Sequence, residues 1–169
     1  MNEAATAAPK SWWRRRVLAP IVGQLKQGTT PKLIAATIAA GIVIGVFPIL
    51  GSTTLMCGVL AAALRLNQPV IQLVNYLVYP VQIALLFPFY RAGEKLFQQP
   101  PVPIASLGAL TERFWASPQQ FFVDYGLVAL YGVVVWCLLA PILFGALYVV
   151  LRSPLAALAS RIRREPLSG

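Results

Sequence analysis

The chain has no histidine among its 169 residues, and only five of its residues are acidic. Histidine is the side chain that most often moves protons near neutral pH, so its absence removes the usual general acid and base. The sequence also contains no glycine-rich phosphate loop, no nucleophile elbow and no set of metal ligands at a recognised spacing. We therefore predict that the chain has no catalytic residues, no metal site and no cofactor, and that it is not an enzyme.

The few acidic residues fall into two groups. Glu3 and Glu165 belong to the terminal tails. The other three acids and the basic residues near them are Glu94, Glu112, Asp124, Lys95, Arg113 and Arg91. Ion pairs of this kind are usually solvated and contribute little to stability, and we predict the same here.

Charged residues and cysteines are scarce as well. Only 11% of the residues are charged, whereas soluble domains carry about 25%, and 58% are hydrophobic, with a mean hydropathy of +0.71. Cys57 and Cys137 lie in apolar runs, so we expect small buried side chains and no disulfide. The first long apolar run begins only at Leu33, after a basic stretch, and a cleavable signal peptide is not expected. The composition predicts an all-α integral membrane protein.

The longest uncharged run, Leu33–Leu64, contains 32 residues and is interrupted in its middle by Pro48 and Gly51. One straight helix of that length would measure about 48 Å, whereas the hydrocarbon core of a bilayer is about 30 Å thick. Two full spans would need about 20 residues each, which is more than the run provides. Because proline lacks a backbone donor and glycine tolerates positive φ, we predict two half-helices of about 15 and 13 residues that form a re-entrant hairpin. One long kinked helix and two short spans are the alternatives.

The break in this hairpin needs cover. Irregular backbone at membrane depth is stable only inside protein or beside water, so other helices or a second copy of the chain must enclose it. We predict a homo-oligomer on this ground. Gly41 and Gly45 lie on one helix face and favour close packing, between the two arms of the hairpin rather than in a dimer. The residues predicted to shape the break are Gly41, Gly45, Pro48, Gly51 and Pro80.

The other features divide the chain into five segments. Near the N-terminus, Trp12–Gln27 has apolar residues at helical spacing and a run of three arginines, which is typical of an amphipathic helix at the membrane surface or of a charge cluster that only sets the topology. Thr30 and Pro31 have the residue types of a helix cap and first turn, so the next helix is predicted to start there. An uncharged stretch at Pro69–Tyr90 is long enough for one crossing. The segments are a cytoplasmic tail with the interfacial helix (1–30), the broken hairpin with the first crossing (31–97), an external linker with an amphipathic patch (98–126), a second transmembrane helix (127–151) and a basic cytoplasmic tail (152–169).

The basic residues predict the orientation. Residues 1–32 carry six lysines and arginines and residues 152–169 carry four, each with one acid, whereas residues 91–126 carry three of each sign. By the positive-inside rule both termini are cytoplasmic and the middle region is external. This orientation requires an even number of crossings, which favours the hairpin over a single kinked span. It also accounts for the net charge of +9, so nucleic-acid binding is not expected.

Several polar side chains lie within or beside the uncharged segments, where an unpaired polar group is costly. Asn67 and Asn75 most simply tie the hairpin to the next helix, and Arg65 anchors the chain at the membrane face. Alternatively, Asn75, Gln82 and Ser52–Thr54 line a polar groove for a lipid headgroup or a solute, and Arg65 contacts lipid phosphate. The candidate ligand-binding residues are Ser52, Thr53, Thr54, Arg65, Asn67, Asn75 and Gln82.

The stretch from Thr30 to Phe97 combines small and kinking residues in a specific order. The pattern consists of Pro31, Ala35, Gly41, Gly45, Pro48, Gly51, Leu64, Arg65, Asn67, Pro69, Pro80 and Gly93. It resembles a bacterial inner-membrane domain-of-unknown-function family, the one numbered two thousand and sixty-two. The resemblance implies a small polytopic protein of the bacterial inner membrane and supplies no activity or cofactor. Members of that family commonly have Asn-Pro-Thr where this chain has Tyr79-Pro80-Val81.

Two functional hypotheses follow. The first is non-enzymatic binding or movement of a lipid or lipid-linked solute, because interrupted helices are the best sequence pointer to a transport site. Membrane lipids are then the partners. The alternative is a membrane scaffold or assembly factor for envelope proteins, in which the breaks only shape a packing surface. A polar cavity beside Asn75 would favour the first hypothesis, and a filled bundle with exposed apolar ridges would favour the second.

Overall fold

The computed structural model describes residues 19–26, 28–101 and 107–164, and all regular secondary structure in these residues is helical. The helices are α1 (Ala19–Lys26), α2 (Pro31–Gly45), α3 (Thr53–Leu64), α4 (Gln68–Leu96), α5 (Leu107–Ala116) and α6 (Pro118–Arg164). Of the predicted surface helix Trp12–Gln27, the part that coincides with α1 is helical, and the remainder lies outside the described residues.

Helix α2 begins where the sequence predicts a helix start. Thr30 Oγ1 accepts a hydrogen bond from the backbone N–H of Leu33 at 3.3 Å, and Pro31 occupies the first turn, where no backbone donor is needed. The helix ends at Gly45 after 15 residues, and α3 begins at Thr53 and has 12 residues. The predicted start of α2 and the interruption of the apolar run are both confirmed.

Residues 46–52 connect these two helices. Gly51 adopts a φ of +82°, a left-handed conformation that costs a residue with a Cβ atom about 1–2 kcal/mol. The hydroxyl of Ser52 donates to the carbonyl oxygen of Ile49 at 2.8 Å, which closes the turn. Pro48 also lies in this connection, and as a proline it has no backbone N–H that could remain unpaired. We refer to residues 46–52 as the break.

Helix α3 turns back along α2. Ala40 and Ile44 of α2 form one buried cluster with Cys57 and Ala61 of α3. In a single continuous helix, Ile44 and Ala61 would be about 25 Å apart. The alternative of one continuous helix through this apolar run is therefore wrong, and the two arms are antiparallel.

Helix α4 runs parallel to α2 in close contact. A Cβ atom built on Gly41 would lie 3.0 Å from Cβ of Val74, and one built on Gly45 would lie 3.3 Å from Cβ of Val78. The small-residue face of α2 therefore packs on α4. The prediction that this face packs on the other arm of the hairpin is wrong, because α3 meets the neighbouring face of α2.

Helix α6 runs antiparallel to α2. Trp136 contacts the end of α2 at Val43, whereas Leu155 packs near the start of α2 with Ile34. Ile21 of α1 is buried in that second cluster, so α1 docks against the bundle at the end where α2 begins.

Helices α4 and α6 cross where each presents a glycine. A Cβ atom on Gly93 would lie 2.6 Å from the carbonyl carbon of Tyr131, and one on Gly132 would lie 2.8 Å from Cδ1 of Tyr90. Both distances are shorter than real Cβ contacts. At Gly93 the contact is with backbone, so a side chain there would force the helices apart, whereas at Gly132 the ring of Tyr90 could shift. The crossing brings the C-terminal part of α4 beside the break.

Within the described residues, two helices are long and apolar enough to cross a membrane. They are α4, with 29 residues, and the Tyr125–Ile162 part of α6, with 38 residues. No residue in the most apolar stretch of α6 is fully buried within the chain. Pro80 and Pro88 lie inside α4, and Pro141 and Pro154 lie inside α6, without ending either helix. The prediction of an all-helical chain with two such helices is confirmed.

Candidate functional site

The break is held by side chains from the two long helices. Gln82 of α4 is only 1% exposed, and its Nε2 donates to the carbonyl oxygens of Phe47 at 2.8 Å and Ile49 at 3.4 Å. The hydroxyl of Tyr90 donates to the carbonyl oxygen of Pro48 at 2.7 Å. These carbonyls lie outside any helix, so the side chains provide the donors that a helix would otherwise supply.

Trp136 of α6 adds a contact one turn earlier. Its Nε1 donates to the carbonyl oxygen of Val43 at 2.9 Å, in the last turn of α2. Its ring meets that of Phe47 edge to face, with the centroids 4.9 Å apart. Helices α4 and α6 of the same chain thus cover the first part of the break, where Val46, Phe47 and Pro48 are buried, whereas residues 49–51 remain exposed.

A second set of hydrogen bonds joins α4 to α3. Asn75 is buried, and its Nδ2 donates to the hydroxyl of Thr54 at 3.4 Å. The side-chain amides of Gln72 and Gln68 donate at 2.9 Å to the carbonyl oxygens of Thr54 and Gly58. With Gln82, these side chains form a polar row on α4 that faces the hairpin.

The structure divides the predicted ligand-binding residues into two groups. Those near the break are Ser52, Thr53, Thr54, Asn75 and Gln82. The other two lie in the link between α3 and α4. Arg65 caps α3 in a left-handed conformation with φ of 52°, and Asn67 caps α4 by accepting a hydrogen bond from the N–H of Val70 at 3.0 Å. Asn67 therefore has a structural contact of its own, away from the break.

Two buried acceptors in the polar row have no partner within the described part of the chain. They are the side-chain oxygens of Gln72 and Gln82. Ser52, Asn67 and Gln82 form hydrogen bonds with backbone groups, and Asn75 bonds to the side chain of Thr54. Asn75 lines neither of the two cavities described below. Its side-chain amide is instead hydrogen-bonded to Thr54, on the side where the sequence predicted a polar groove.

A cavity of about 850 Å³ lies on the other side of the break, between α4, α5 and α6. Phe47 and Leu50 of the break form its floor. Aromatic side chains form a large part of its walls, and they include Phe87, Tyr90, Phe114, Phe121 and Tyr125. The rings of Phe114 and Phe121 are 5.4 Å apart, which holds α5 against the start of α6. We call this space the aromatic cavity.

Two arginines lie at the edge of the aromatic cavity. The guanidinium carbon of Arg91 lies 4.8 Å from the centre of the Phe87 ring, a distance at which cation and ring attract. Arg113 is exposed, and its Nη1 donates to the hydroxyl of Tyr125 at 2.7 Å. Because Phe87 and Tyr125 are both wall residues, the arginines mark the polar margin of an apolar space.

The Arg91–Glu94 pair differs from its prediction. Its atoms Nη1 and Oε2 are 2.7 Å apart, and the side chains of Arg91 and Glu94 are 30% and 4% exposed. The carboxylate is thus buried, and the prediction of a solvated pair is wrong for these two residues. The cause is the crossing at Gly93, which draws this turn of α4 against α6.

The sequence reading missed the aromatic cavity and its arginines. One signal was present: Phe114, Phe121 and Tyr125 are spaced so that two consecutive helices each present an aromatic face, interrupted by Ser117-Pro118. The contribution of the break to the same cavity had no local signal, because it depends on contacts between residues far apart in the chain.

A second cavity of about 660 Å³ lies between α2, α3 and α6. Apart from Trp136, whose N–H is engaged with Val43, the side chains around it carry no polar nitrogen or oxygen. Across the described residues, no three His, Cys, Asp or Glu side chains are grouped so that they could hold a metal ion.

The comparisons with known proteins give a family and no individual relative. No curated protein and no solved structure matches the chain. A family model described as "Uncharacterized protein conserved in bacteria (DUF2062)" matches residues 14–164. The match extends well beyond Thr30–Phe97, where the resemblance was visible, and it includes α5 and α6. The chain therefore belongs to this bacterial family.

Proposed function

We propose that this chain is a multi-pass protein of the bacterial inner membrane that binds a lipid or lipid-linked solute without catalysing a reaction. The observation that carries the proposal is the aromatic cavity, an apolar space with charged residues at its margin. Its volume of about 850 Å³ is within the range of small-molecule sites, about 300–1,000 Å³. Aromatic and aliphatic walls suit an acyl or isoprenoid chain, since they offer apolar contact and few hydrogen bonds.

The helix directions support a membrane placement with both termini cytoplasmic. Helices α2 and α4 are parallel, and α3 and α6 run the opposite way. The start of α2 and the end of α3 are therefore at one end of the bundle, and α5 is at the other. Helix α2 is about 22 Å long, too short to cross a core of about 30 Å, so we place the break within the membrane as a re-entrant turn. Helix α1 is then at the cytoplasmic interface.

This placement predicts which residues share a membrane face. In a chain with Cys137 replaced by alanine, Lys32→Cys and Arg65→Cys are expected to react with a membrane-impermeant maleimide only after spheroplasts are permeabilised. Gln99→Cys is expected to react in intact spheroplasts. All three positions are exposed, and the remaining Cys57 is buried, so labelling reports the side of the membrane. Labelling of positions 32 and 65 from opposite faces would contradict the re-entrant turn.

Filling the aromatic cavity is expected to remove the bound lipid. Gly126 lines the cavity, and a Cβ atom there has nothing within 4 Å, so Gly126→Phe adds a ring without a backbone clash. We expect the purified protein to retain a phospholipid in mild detergent and the variant to retain about tenfold less, a difference of about 1.4 kcal/mol in binding. Native mass spectrometry measures the retained lipid directly.

The matched control is Gly145→Phe. Gly145 lies on the same helix and also has nothing within 4 Å of a Cβ atom, but it does not line the aromatic cavity. The control is expected to retain lipid as the unmodified chain does. Equal retention in both variants would contradict lipid binding in this cavity and would favour the alternative, a membrane scaffold or assembly factor. The homo-oligomer stays a prediction, and its original reason is weaker because α4 and α6 of the same chain cover the first part of the break.

A further inference from the structure

We infer that the bound lipid is anionic and that Arg113 binds its phosphate at the external edge of the aromatic cavity. This inference rests on the proposed function, which it narrows to a class of lipid. The aromatic cavity is asymmetric in polarity. The walls around the buried part are apolar and aromatic, and the charged groups lie at one margin. An elongated molecule with an apolar chain and a charged end matches this arrangement.

The sign of the charge at this margin decides the headgroup. Arg91 is paired with the buried carboxylate of Glu94, so its charge is largely offset. Arg113 instead donates to the neutral phenol of Tyr125. A guanidinium has several N–H donors in a planar fork, so one bond to a phenol leaves further donors for a second partner. Arginine binds phosphate oxygens through two parallel hydrogen bonds, which makes a phosphate the best match for Arg113.

The position of Arg113 supports the same assignment. It lies on α5 one residue before Phe114, a wall residue of the cavity, and its partner Tyr125 is a wall residue of α6. The guanidinium thus lies beside the cavity, where it donates to Tyr125 at 2.7 Å while the side chain remains exposed.

Competition between two lipids with the same chains tests the inference. The full-length protein is equilibrated in detergent micelles that contain equal amounts of dioleoyl phosphatidylglycerol and dioleoyl phosphatidylcholine, and the lipids that it retains are identified by native mass spectrometry. We expect the unmodified chain to retain the anionic lipid in about tenfold excess, as one charge-assisted bidentate contact allows. Arg113→Gln is expected to bring the ratio close to one with the total retained lipid unchanged.

Two further variants separate the role of the charge from other effects. Arg152→Gln removes the same charge from an exposed residue of α6 at the other end of the bundle, near Leu155 and the start of α2, and is expected to keep the preference. Tyr125→Phe breaks the hydrogen bond to Arg113 but keeps the charge, and the preference is expected to persist within about twofold. A loss of preference in Tyr125→Phe equal to that in Arg113→Gln would overturn the inference, because the arginine would then only hold α5 in place.

The outcomes also distinguish this inference from the proposed function. If Gly126→Phe lowers the retention of both lipids and Arg113→Gln leaves their ratio unchanged, the cavity binds lipid and the headgroup assignment is wrong. If Gly126→Phe has no effect on either lipid, the proposed function is wrong, whatever the ratio.

Discussion

Replacing Gly93 by alanine is expected to destabilise the protein by about 3 kcal/mol, the upper part of the range for overpacked sites. The new Cβ atom would lie 2.6 Å from the carbonyl carbon of Tyr131 and 2.8 Å from its oxygen. Both atoms belong to the backbone of α6, which cannot rotate away as a side chain can. The helices would have to separate along the crossing that brings α4 beside the break. Thermal unfolding in detergent should show a midpoint lower by about 10 °C for a chain of this size.

Two other glycines provide the comparison for this result. Gly145→Ala adds a methyl group on α6 with nothing within 4 Å, so we expect a neutral or slightly stabilising effect, since alanine is the better helix former by about 1 kcal/mol. Gly132→Ala meets the ring edge of Tyr90 at 2.8 Å, a side chain that can shift, and its effect should be intermediate. A Gly93→Ala variant as stable as Gly145→Ala would show that the two helices do not approach this closely.

The second large effect is expected at Gln82. Gln82→Leu removes the amide that donates to the carbonyl oxygens of Phe47 and Ile49. A buried carbonyl left without a donor costs about 1–3 kcal/mol, and Ile49 keeps the hydroxyl of Ser52 as a donor. The substitution also removes the unpartnered Gln82 oxygen, which offsets part of the loss. We expect a net destabilisation of about 2 kcal/mol, measured as the shift in the midpoint of thermal unfolding.

Gln72→Leu is the matched control on the same helix. Gln72 also donates through its amide to a carbonyl oxygen, that of Thr54. Thr54 lies within α3, however, where its carbonyl also accepts the helical N–H four residues later, so no acceptor is left unpaired. The control should lose less than about 1 kcal/mol. Equal losses in the two variants would mean that the break does not depend on Gln82 in particular.

Local chemistry made the hairpin visible in the sequence. Thr30 and Pro31 have the residue types of a helix start, and both act as such. Pro48 and Gly51 interrupt an apolar run that is too long for one helix and too short for two spans, and the structure has a turn there, with Gly51 at positive φ. Each of these features depends on a few consecutive residues, so a single sequence contains the information.

The partners of these elements were not visible in the same way. Gly41 and Gly45 indicate a close helix contact but not which helix provides it. In the structure that helix is α4, although α3 is nearer in the sequence. Gln82 was singled out as a polar residue in an apolar setting, yet its partner Phe47 is 35 residues away. Such pairings depend on the three-dimensional order of the helices, which the hydropathy pattern of one chain does not determine.

The cavity illustrates the same limit. Its floor comes from residues of the break, one wall comes from α4, and the remaining walls come from α5 and α6. Phe87 lies on α4 and Phe114 on α5, so the two are distant in the chain. A sequence scan locates each aromatic residue, but only the crossing at Gly93 and Gly132 brings them around one space.

The donors that satisfy the break have a consequence for biosynthesis. They belong to residues 82, 90 and 136, whereas the carbonyls that they reach belong to residues 43–49. The ribosome must therefore add some ninety residues after Val43 before the Trp136 indole exists to donate to the Val43 carbonyl. Residues 43–49 are therefore synthesised long before the last of their hydrogen-bond donors, and a product truncated before α6 would leave that turn incompletely paired.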